Sequence, residues 1–582
     1  MTNDQVASAL SEIAVLMELL GENSFRVNAY HNASRAVAQL GGDIATLVKE
    51  GTLNGVAGIG ATMQEKITTL VTQGKLPYLE ELKGKVPAGL LEMLRVGGLG
   101  PKKVMALHKE LGIDSLEKLK ASCNQGEVAK LKGFGEKTQA KILEGIQFLS
   151  TVAGRVRLDE AQVTAAAFLQ LLEKVPGMQK IEVCGSLRRR NETVRDIDIL
   201  IAAKNPTPVM DAFVSAPGVM QVLGKGETKS SVLANIIGGE TSRNIQVDLR
   251  VVSEKEFPFA LAYFTGSKDH NVALRGRAQD QGMKLNEYAL EKVGEKIDCT
   301  EEKDIYKALG LQWVPPEMRE NSGEIALAEK DALPELVQPG DIRGVLHCHT
   351  TYSDGVDSLT EMVDAARKLG FDYFGIGDHS QSLKVANGLS PERVKEQHKE
   401  LDHLQSSLGN FRVFKGIECD ILADGSLDYD DEVLGWFDYV VASVHTHFQM
   451  AREEMTQRVL RAIRHPKVTI LGHPTGRLVL RRDAYALDLE AVFKEAAKTG
   501  TAMEINAHPL RLDLNWVQAK YAKELGIPLV INPDAHSKGE VSLFTYGVSV
   551  ARKAWLTAKD VLNTSKAKEM EKFFQDRTSW KR

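Results

Sequence analysis

The chain has 582 residues, of which 43% are hydrophobic and 26% are charged, and its formal net charge is −5. The composition is typical of a globular protein, and the length corresponds to roughly three to five domains. The sequence has no apolar run of membrane-spanning length and no signal-peptide pattern, so we expect a cytoplasmic protein without a membrane partner. The five cysteines have no zinc-finger spacing, and the acidic balance means that any DNA-binding role must be argued from motifs.

The first 150 residues have a helical pattern with three short glycine turns. Apolar residues recur at helical spacing through residues 5–50. Glycine lets backbone N–H groups approach a phosphate at a helix N-terminus, a contact that does not depend on base sequence. A single such turn is common in any loop, but three in series favour contact with phosphate groups. The three turns, each before a helix-compatible segment, are Gly58-Ile59-Gly60, Gly98-Leu99-Gly100 and Gly133-Phe134-Gly135.

Residues 181–252 change to β-branched strands that carry three acidic residues. Asp196 and Asp198 stand two residues apart, so both carboxylates face the same side of their strand. Asp248 follows on a second apolar strand. Three carboxylates on adjacent strands can hold two Mg²⁺ ions, which suit a primer 3′-hydroxyl and a triphosphate. Asp-x-Asp alone is more often an exposed strand face, but Gly185-Ser186 and the cations Arg188–Arg190 upstream favour phosphate binding.

Histidines divide the chain near residue 340. Residues 1–340 contain three of the 14 histidines and the remainder contains 11. Prolines and charges across residues 317–340 predict an interdomain linker. Beyond it, seven short apolar runs alternate with helical patterns, which predicts an α/β domain that closes like a barrel. The runs are 344–349, 371–379, 412–418, 439–447, 468–473, 502–506 and 528–536.

Metal-ligand side chains stand at the ends of these runs, where parallel barrels place their active sites. Nine groups suit two or three divalent ions, and mixed imidazole and carboxylate ligation favours zinc, manganese or iron. One such histidine alone is as often structural, but nine at strand ends favour a metal centre. The candidates are His347, His349, Asp354, His379, Glu418, His445, His473, Asp534 and His536. We interpret His465, His508 and Cys348 as structural. His447, two residues after His445, is either structural or a group that supports a metal ligand.

These motifs resemble the PHP (polymerase and histidinol phosphatase) family through residues 341–540. The matching elements are His347-x-His349, Gly-Asp-His379, Glu418, His445, Gly-His473-Pro and Asp534-x-His536. The resemblance implies a distorted barrel, a trinuclear metal site and phosphoesterase chemistry.

The aspartate region resembles the catalytic core of family X DNA polymerases once Tyr263-Phe264-Thr265-Gly266-Ser267 is added. The resemblance implies that Asp196, Asp198 and Asp248 are the metal-binding triad. It implies triphosphate contacts for Gly185, Ser186 and Arg189, and a sugar-facing wall for Tyr263, Phe264 and Gly266. It also implies minor-groove contacts for Asn271 and Arg275.

The glycine turns resemble helix-hairpin-helix elements, and the first stands where the polymerase family has a lyase domain. Lys66 aligns with the Schiff-base lysine of that domain, and Arg26 and Tyr30 with its phosphate pocket. Thr62 replaces a lysine that is usual in the family. A solvated helix residue therefore remains the alternative for Lys66.

The order of these elements predicts a multidomain α+β and α/β enzyme with two metal sites. We expect a polymerase that fills short gaps in base-excision repair and a 3′-to-5′ exonuclease with AP endonuclease or 3′-phosphatase activity. The alternatives are a PHP phosphoesterase whose polymerase half holds DNA, and a non-catalytic scaffold. Expected partners are gapped or nicked DNA and deoxynucleoside triphosphates, with a monomeric chain. The expected parts are a lyase-like domain 1–90, a helix-hairpin-helix subdomain 91–150, a nucleotidyltransferase palm 151–255, a thumb 256–316, the linker 317–340 and a (β/α)7 PHP domain 341–575.

Overall fold

The computed structural model describes residues 1, 3–38, 44–56, 59–94, 96, 99–152, 154–237 and 243–580. The chain divides into two compact units, Met1–Ala153 and Gly154–Arg582. Among the described residues, no helix combines the length and the apolarity that crossing a bilayer requires.

The first unit is helical, as the sequence predicts, and its apolar residues form a single core. Residues 39–43 of the predicted helical stretch lie outside the described residues. A 3₁₀ turn spans Leu53–Gly55. The α-helices are Asn3–Leu19, Ser24–Ala38, Ile44–Glu50, Ala61–Gln73, Pro77–Lys85, Ala88–Met93, Pro101–Leu111, Leu116–Asn124, Glu127–Lys130 and Gly135–Val152.

The second unit begins with a five-stranded sheet that carries the three aspartates. Its strands lie in the order Met178–Val183, Asp196–Ala203, Asn244–Val252, Lys229–Asn235 and Val219–Lys225. The second and third strands pair in parallel, and the other pairs are antiparallel. Ile197, Ile199 and Ile201 point into the core, so the alternating aspartates face the opposite side. Flanking elements are the strands Val156–Arg157 and Thr193–Val194 and the helices Leu158–Leu172, Gly185–Arg188 and Pro206–Val214.

Residues 257–341 form short elements around a second apolar cluster. The helices are Phe257–Thr265, Lys268–Asp280, Glu302–Ala308 and Glu324–Ala328, the strands are Met283–Leu285, Leu290–Lys292 and Glu295–Ile297, and 3₁₀ turns span Pro316–Met318 and Pro339–Asp341.

The segment predicted as a linker is packed in its first part. Arg319 is fully buried, and its guanidinium bonds to Glu302 at 2.7 Å and twice to the carbonyl of Val314. Arg188 also binds both oxygens of Glu302. Burial opposes ionisation of Glu302, but Arg319 and Arg188 outweigh it and hold the pKa of Glu302 far below its ordinary value.

The remaining residues form the predicted α/β part. All strand pairs are parallel, in two series: Gly344–Val345, Tyr373–Gly375 and Arg412–Phe414, then Gly416–Asp420, Tyr439–Ser443, Val468–Leu471, Ala502–Asn506 and Leu529–Asn532. Parallel bridges join His379 to Glu418 and Cys348 to Ala535. These bridges link the two series at their strand ends. The described residues of this part form eight strands instead of the seven predicted, because the run 412–418 is divided into two, and closure into a barrel stays a prediction.

Helices lie between these strands, and 3₁₀ turns connect several of them. The α-helices are Leu359–Lys368, Pro391–Gln405, Asp431–Leu434, Arg452–Arg464, Leu489–Thr499, Trp516–Glu524, Phe544–Lys553 and Ala567–Gln575. The 3₁₀ turns are Lys384–Ala386, Glu540–Leu543, Ala558–Asp560, Leu562–Thr564 and Arg577–Ser579. Ser358 caps its helix with Glu361 in a capping box.

We predict that Arg319→Met lowers the free energy of unfolding of the second unit by about 3 kcal/mol, because it leaves the buried Glu302 with one fewer cation. Urea unfolding of the full chain, followed by circular dichroism, measures the shift in midpoint. Arg452→Met is the matched control, since Arg452 is 67% exposed in its side chain and its contact with Asp488 is 3.5 Å long. Equal midpoints for the two variants would contradict the prediction.

Candidate functional site

The nine predicted metal ligands lie together at the carboxyl ends of the parallel strands. Eight of them fall into groups that offer one ligand atom each, with all atoms of a group within 4.8 Å of one another. The groups are His349, Asp354, His379 and His536; then His347, His349 and Asp534; then His379, Glu418 and His445. Shared members join the three groups into one cluster.

Glu418 lies at the centre of this cluster and is 1% exposed. Its carboxylate is 2.9 Å from Nε2 of His473, which is how the ninth ligand enters the site. It is also 2.9 Å from Nδ1 of His379, 3.2 Å from Nε2 of His445 and 3.3 Å from Nε2 of His347. One carboxylate therefore bridges four imidazoles from four different strand ends.

Asp534 and Asp354 complete the carboxylate set. Asp534 lies 3.0 Å from Nε2 of His349. Asp354 lies 3.6 Å from His379 and 3.5 Å from His536. Carboxylates and imidazoles at these separations can share cations without large rearrangement.

Unpaired imidazole nitrogens support the fit to metal ions. Nε2 of His347 and Nδ1 of His349 and of His379 are buried, and although carboxylate oxygens lie 2.9 to 3.7 Å away, these nitrogens make no hydrogen bond of suitable geometry within the part of the chain that the structure describes. Buried nitrogens without partners are costly. Because all three face the carboxylates of Glu418, Asp534 or Asp354, a cation between them would satisfy both kinds of group.

The cluster shifts the pKa values of its members in opposite directions. Burial opposes the charge on His347, but Glu504, Glu418 and Asp534 outweigh it and hold the pKa of His347 well above its ordinary value. Burial likewise opposes ionisation of Glu418, yet the surrounding histidines hold the pKa of Glu418 well below its ordinary value. The carboxylates are therefore charged and available as ligands.

Three supporting residues were missed by the sequence analysis. Glu504 is fully buried and accepts a hydrogen bond of 2.8 Å from Nδ1 of His347, which turns Nε2 toward the cluster. Asp420 accepts from Nδ1 of His445 in the same way. Arg511 contacts Asp534 at 3.1 Å. A lone acid in the apolar run Ala502–Asn506, and the two-residue spacing from Glu418 to Asp420, were available signals.

The residues predicted to be structural lie outside the metal-ligand groups. Cys348 is buried in the apolar core. His465 pairs with Asp431 at 2.9 Å, and His508 accepts a bond from the backbone of Leu510. Nδ1 of His447 lies 3.1 Å from the hydroxyl oxygen of Thr446, in an exposed position.

The three palm aspartates share one face of two parallel strands. Asp198 stands directly opposite Asp248, and Asp196 stands opposite Gln246, whose side chain donates to Asp248. Burial, together with Asp196 and Asp248, raises the pKa of Asp198 to about 7. Burial and Asp248 also raise the pKa of Asp196. Clustered carboxylates that repel one another fit a site for divalent cations.

The Gly185 turn lies against this acidic face. Gly185 has a φ of +62°, and a Cβ there would stand 2.1 Å from Oδ2 of Asp198. Only glycine fits this close approach. Ser186 is the second residue of the short helix that begins here, and Arg189 follows that helix. The predicted phosphate contacts therefore adjoin the aspartates.

Arg189 connects the Gly185 turn to the segment that begins at Tyr263. One of its terminal nitrogens donates to the carbonyl of Thr265 at 2.6 Å, and its Nε lies 3.2 Å from Glu320. That terminal nitrogen is also 3.2 Å from where a Cβ of Gly266 would stand.

The other predicted nucleotide contacts lie close together on the next two helices. Asn271 donates to the carbonyl of Tyr263 at 2.7 Å, and Arg275 donates to the carbonyl of Asn271 at 3.3 Å. The rings of Tyr263 and Phe264 meet edge to face with centroids 5.2 Å apart, and Arg250 lies over Phe264. Phe264 therefore has an arginine neighbour that the sequence analysis missed.

The glycine turns share one local structure in the first unit. The middle residues Ile59, Leu99 and Phe134 are buried, and each N–H bonds to the carbonyl three residues earlier. Gly60 and Gly100 cap the helices that follow them, and Gly135 begins its helix. At Gly60, Gly100, Gly133 and Gly135, no described atom lies within 4 Å of where a Cβ would stand, so the backbone is open to a ligand. Gly58 and Gly98 lie outside the described residues.

The predicted lyase residues meet through a tyrosine that the sequence analysis did not single out. Nζ of Lys66 lies 4.2 Å from the ring centre of Tyr78, and the ring of Tyr30 stacks on Tyr78 at 6.3 Å. Arg26 pairs with Glu22 at 2.7 Å.

Family models match four parts of the chain. A helix-hairpin-helix domain matches residues 1–76, and a SAM-like helix-hairpin-helix tandem matches residues 90–147. A DNA polymerase beta thumb matches residues 260–320, and a PHP domain matches residues 346–508.

Whole-chain and partial relatives agree with these matches. DNA polymerase/3′-5′ exonuclease PolX of Bacillus subtilis is 41% identical over 577 residues, which cover 99% of this chain and 100% of that protein. A probable phosphatase of Thermoanaerobacter sp. is 30% identical over 240 residues, 39% of this chain and 93% of that protein. DNA polymerase lambda of Rattus norvegicus is 27% identical over 297 residues, 46% of this chain and 48% of that protein.

We predict that Glu504→Gln weakens Mn²⁺ binding by about 10- to 100-fold, because the neutral amide holds the imidazole of His347 less strongly than the carboxylate does. Titration of the full chain with Mn²⁺, with free ion followed by electron paramagnetic resonance, measures the change. Glu490→Gln, on an exposed face of the preceding helix, is the control. Identical affinities for the two variants would show that Glu504 does not support the site.

Proposed function

This chain belongs to the family X DNA polymerases that carry a C-terminal PHP domain, and from that membership we propose a DNA-directed DNA polymerase joined to a 3′-to-5′ exonuclease. The observation that carries the proposal is the presence of two separate sets of metal-ligand side chains in the second unit, one of aspartates and one rich in histidines. The proposed substrates are gapped or nicked double-stranded DNA and deoxynucleoside triphosphates.

In the proposed polymerase site, Asp196, Asp198 and Asp248 hold two Mg²⁺ ions. When bound, the ions would supply activation of the primer 3′-hydroxyl and charge stabilisation on the triphosphate. The backbone of Gly185 and Ser186 lies beside the aspartates and would receive phosphate oxygens. The cation of Arg189 would add a charge-assisted contact to the same phosphates.

The Tyr263–Gly266 segment would form the wall beside the incoming sugar. Arg189 is anchored to this segment at Thr265, so phosphate binding and sugar binding share one support. Asn271 and Arg275 would reach the minor-groove edge of the new base pair. In the structure both side chains donate hydrogen bonds to backbone carbonyls, which hold them in defined positions.

In the proposed exonuclease site, the nine clustered side chains hold two or three Mn²⁺ or Zn²⁺ ions. When bound, these ions would act as Lewis acids on the attacking water and on the scissile phosphate. Glu418 would hold the ions close together, and Glu504 and Asp420 would orient His347 and His445. The same chemistry would serve AP endonuclease or 3′-phosphatase activity.

The proposed role is short-gap filling in base-excision repair by a monomer. One site would trim a damaged or mismatched 3′ end, and the other would extend it. The glycine turns would hold the DNA backbone without regard to sequence. We propose the parts 1–90, 91–150, 151–255, 256–316 and 341–575, and the division of the chain near residue 153 supports the second boundary.

We predict that Asp196→Ala reduces primer extension on a one-nucleotide gap by more than about a hundredfold and spares 3′ digestion. Loss of a residue that only supports a metal ligand typically costs about 10- to 100-fold, so loss of a ligand should cost more. His347→Ala should do the reverse, because the two sites use separate ligands. Gel analysis of 5′-labelled primers, with Mg²⁺ or Mn²⁺ and with or without nucleotides, measures both activities.

Matched variants separate this proposal from a PHP phosphoesterase whose polymerase half only holds DNA. The similarity to a probable phosphatase over 240 residues supports that alternative. It would be favoured if wild-type protein digested 3′ ends but never extended them. Asp211→Ala, an exposed aspartate of the palm helix, should change neither activity.

We predict that Lys66→Ala abolishes borohydride-dependent cross-linking to DNA with a 5′-deoxyribose phosphate, if the first unit is a lyase. The ring of Tyr78 beside Nζ gives the amine a partly shielded position. Lys102→Ala, on the helix after the second glycine turn, is the control. Absence of cross-linking in the wild-type chain would assign Lys66 to the solvated helix surface.

A further inference from the structure

A short loop, Leu383-Lys384-Val385-Ala386, forms one wall of the histidine-rich metal pocket through its three apolar residues. The pocket has a volume of about 220 Å³. Most of its lining is charged or imidazole, but Leu383, Val385 and Ala386 contribute an apolar side. Val385 is 96% exposed, whereas the adjacent Ala386 is buried.

The loop is held firmly on both sides of Val385. The hydroxyl of Ser382 donates to Asp420 at 2.8 Å, and the N–H of Ser382 donates to Asp428 at 2.7 Å. On the far side, Leu389 donates its N–H to the carbonyl of His379 at 2.8 Å. The loop is therefore tied to His379 itself and to Asp420, which orients His445.

Close packing also fixes the turn after Val385. A Cβ at Gly388 would stand 1.9 Å from the carbonyl oxygen of Ser380, so the two backbone segments are too close for any side chain at this position. Arg393 donates to the carbonyl of Asn387 at 2.7 Å. Val385 is thus presented to solvent by a constrained turn.

When a ligand covers an exposed apolar side chain, apolar surface is removed from water, and this stabilises the complex. A phosphodiester bound at the metal ligands carries a nucleoside on each side. The nucleobase is the flat, weakly hydrated part of that substrate, and contact with it tolerates any base. Because the loop lies beside the metal ligands, it is in a suitable place to contact a base next to the scissile phosphate.

We propose that the Leu383–Ala386 loop is a base-contacting platform, with Val385 at its tip, that selects 3′ ends whose terminal nucleotide carries a base. This inference rests on the proposed exonuclease function of the same pocket. Val385 would act by binding and positioning the strand end, and it would take no part in bond breaking.

Two single-stranded oligonucleotides test the platform. Both carry a 5′ label, and one ends in a thymidine nucleotide while the other ends in an abasic tetrahydrofuran nucleotide. For Val385→Ser in the full chain, we expect kcat/KM for removal of the thymidine nucleotide to fall about fivefold, mainly through KM. Removal of the abasic nucleotide should stay within about twofold of wild type. Val385→Leu, which keeps the apolar surface, should retain the wild-type preference.

Val293→Ser is the matched control, because Val293 is 94% exposed and lies in the strand connection Val293–Gly294, outside the pocket lining. It should change neither substrate. Equal loss on both substrates, or no loss on either, would overturn the platform. A wild-type chain that digests neither substrate, or digestion that survives His347→Ala, would instead overturn the proposed exonuclease.

Discussion

The bridging carboxylate of Glu418 is the interaction on which the histidine-rich site depends. A buried carboxylate is strongly unfavourable unless cations or donors surround it. The four histidines that contact it come from separate strand ends, so those ends must converge on one point. The all-parallel pairing, with the bridge from Cys348 to Ala535, brings them there. Fold and site therefore impose the same constraint on the chain.

The aspartate site meets a similar constraint with a different solution. Its carboxylates come from two neighbouring parallel strands, and the third element is a backbone turn at Gly185. Mutual repulsion and burial raise the pKa of Asp198, so the free site is poised between charged and neutral forms. A cation removes that conflict, and the open backbone beside it accepts the anionic part of a substrate. A site of this kind favours ions and phosphates together.

Much of this arrangement follows from the sequence, because ligand type and strand periodicity are local signals. The two-residue spacing of Asp196 and Asp198 and the nine strand-end ligands could be predicted, and the structure brings both sets together. Glu504 stands out locally only as a lone acid in an apolar run, and its role depends on a partner 157 residues distant. The role of Tyr78 depends on ring packing, which has no local signal. Residues 317–340 have the composition of a linker, yet Arg319 is buried because its partner Glu302 lies in another element. Pairing across the fold is not encoded in local composition.

Contacts within the second unit connect the two sites. Lys553, on a helix of the histidine-rich part, is 4% exposed and bonds to Glu320 and to the carbonyl of Arg189. Glu320 in turn contacts the guanidinium of Arg189, the proposed triphosphate ligand. Arg477 and Glu192 form a second bridge between the parts. Deleting the histidine-rich part would remove the contacts of Lys553 with Glu320 and with the carbonyl of Arg189, and it would expose this surface to water. A truncated chain would thus confound loss of the exonuclease with damage to the nucleotide site, and point substitutions such as His347→Ala separate the two effects.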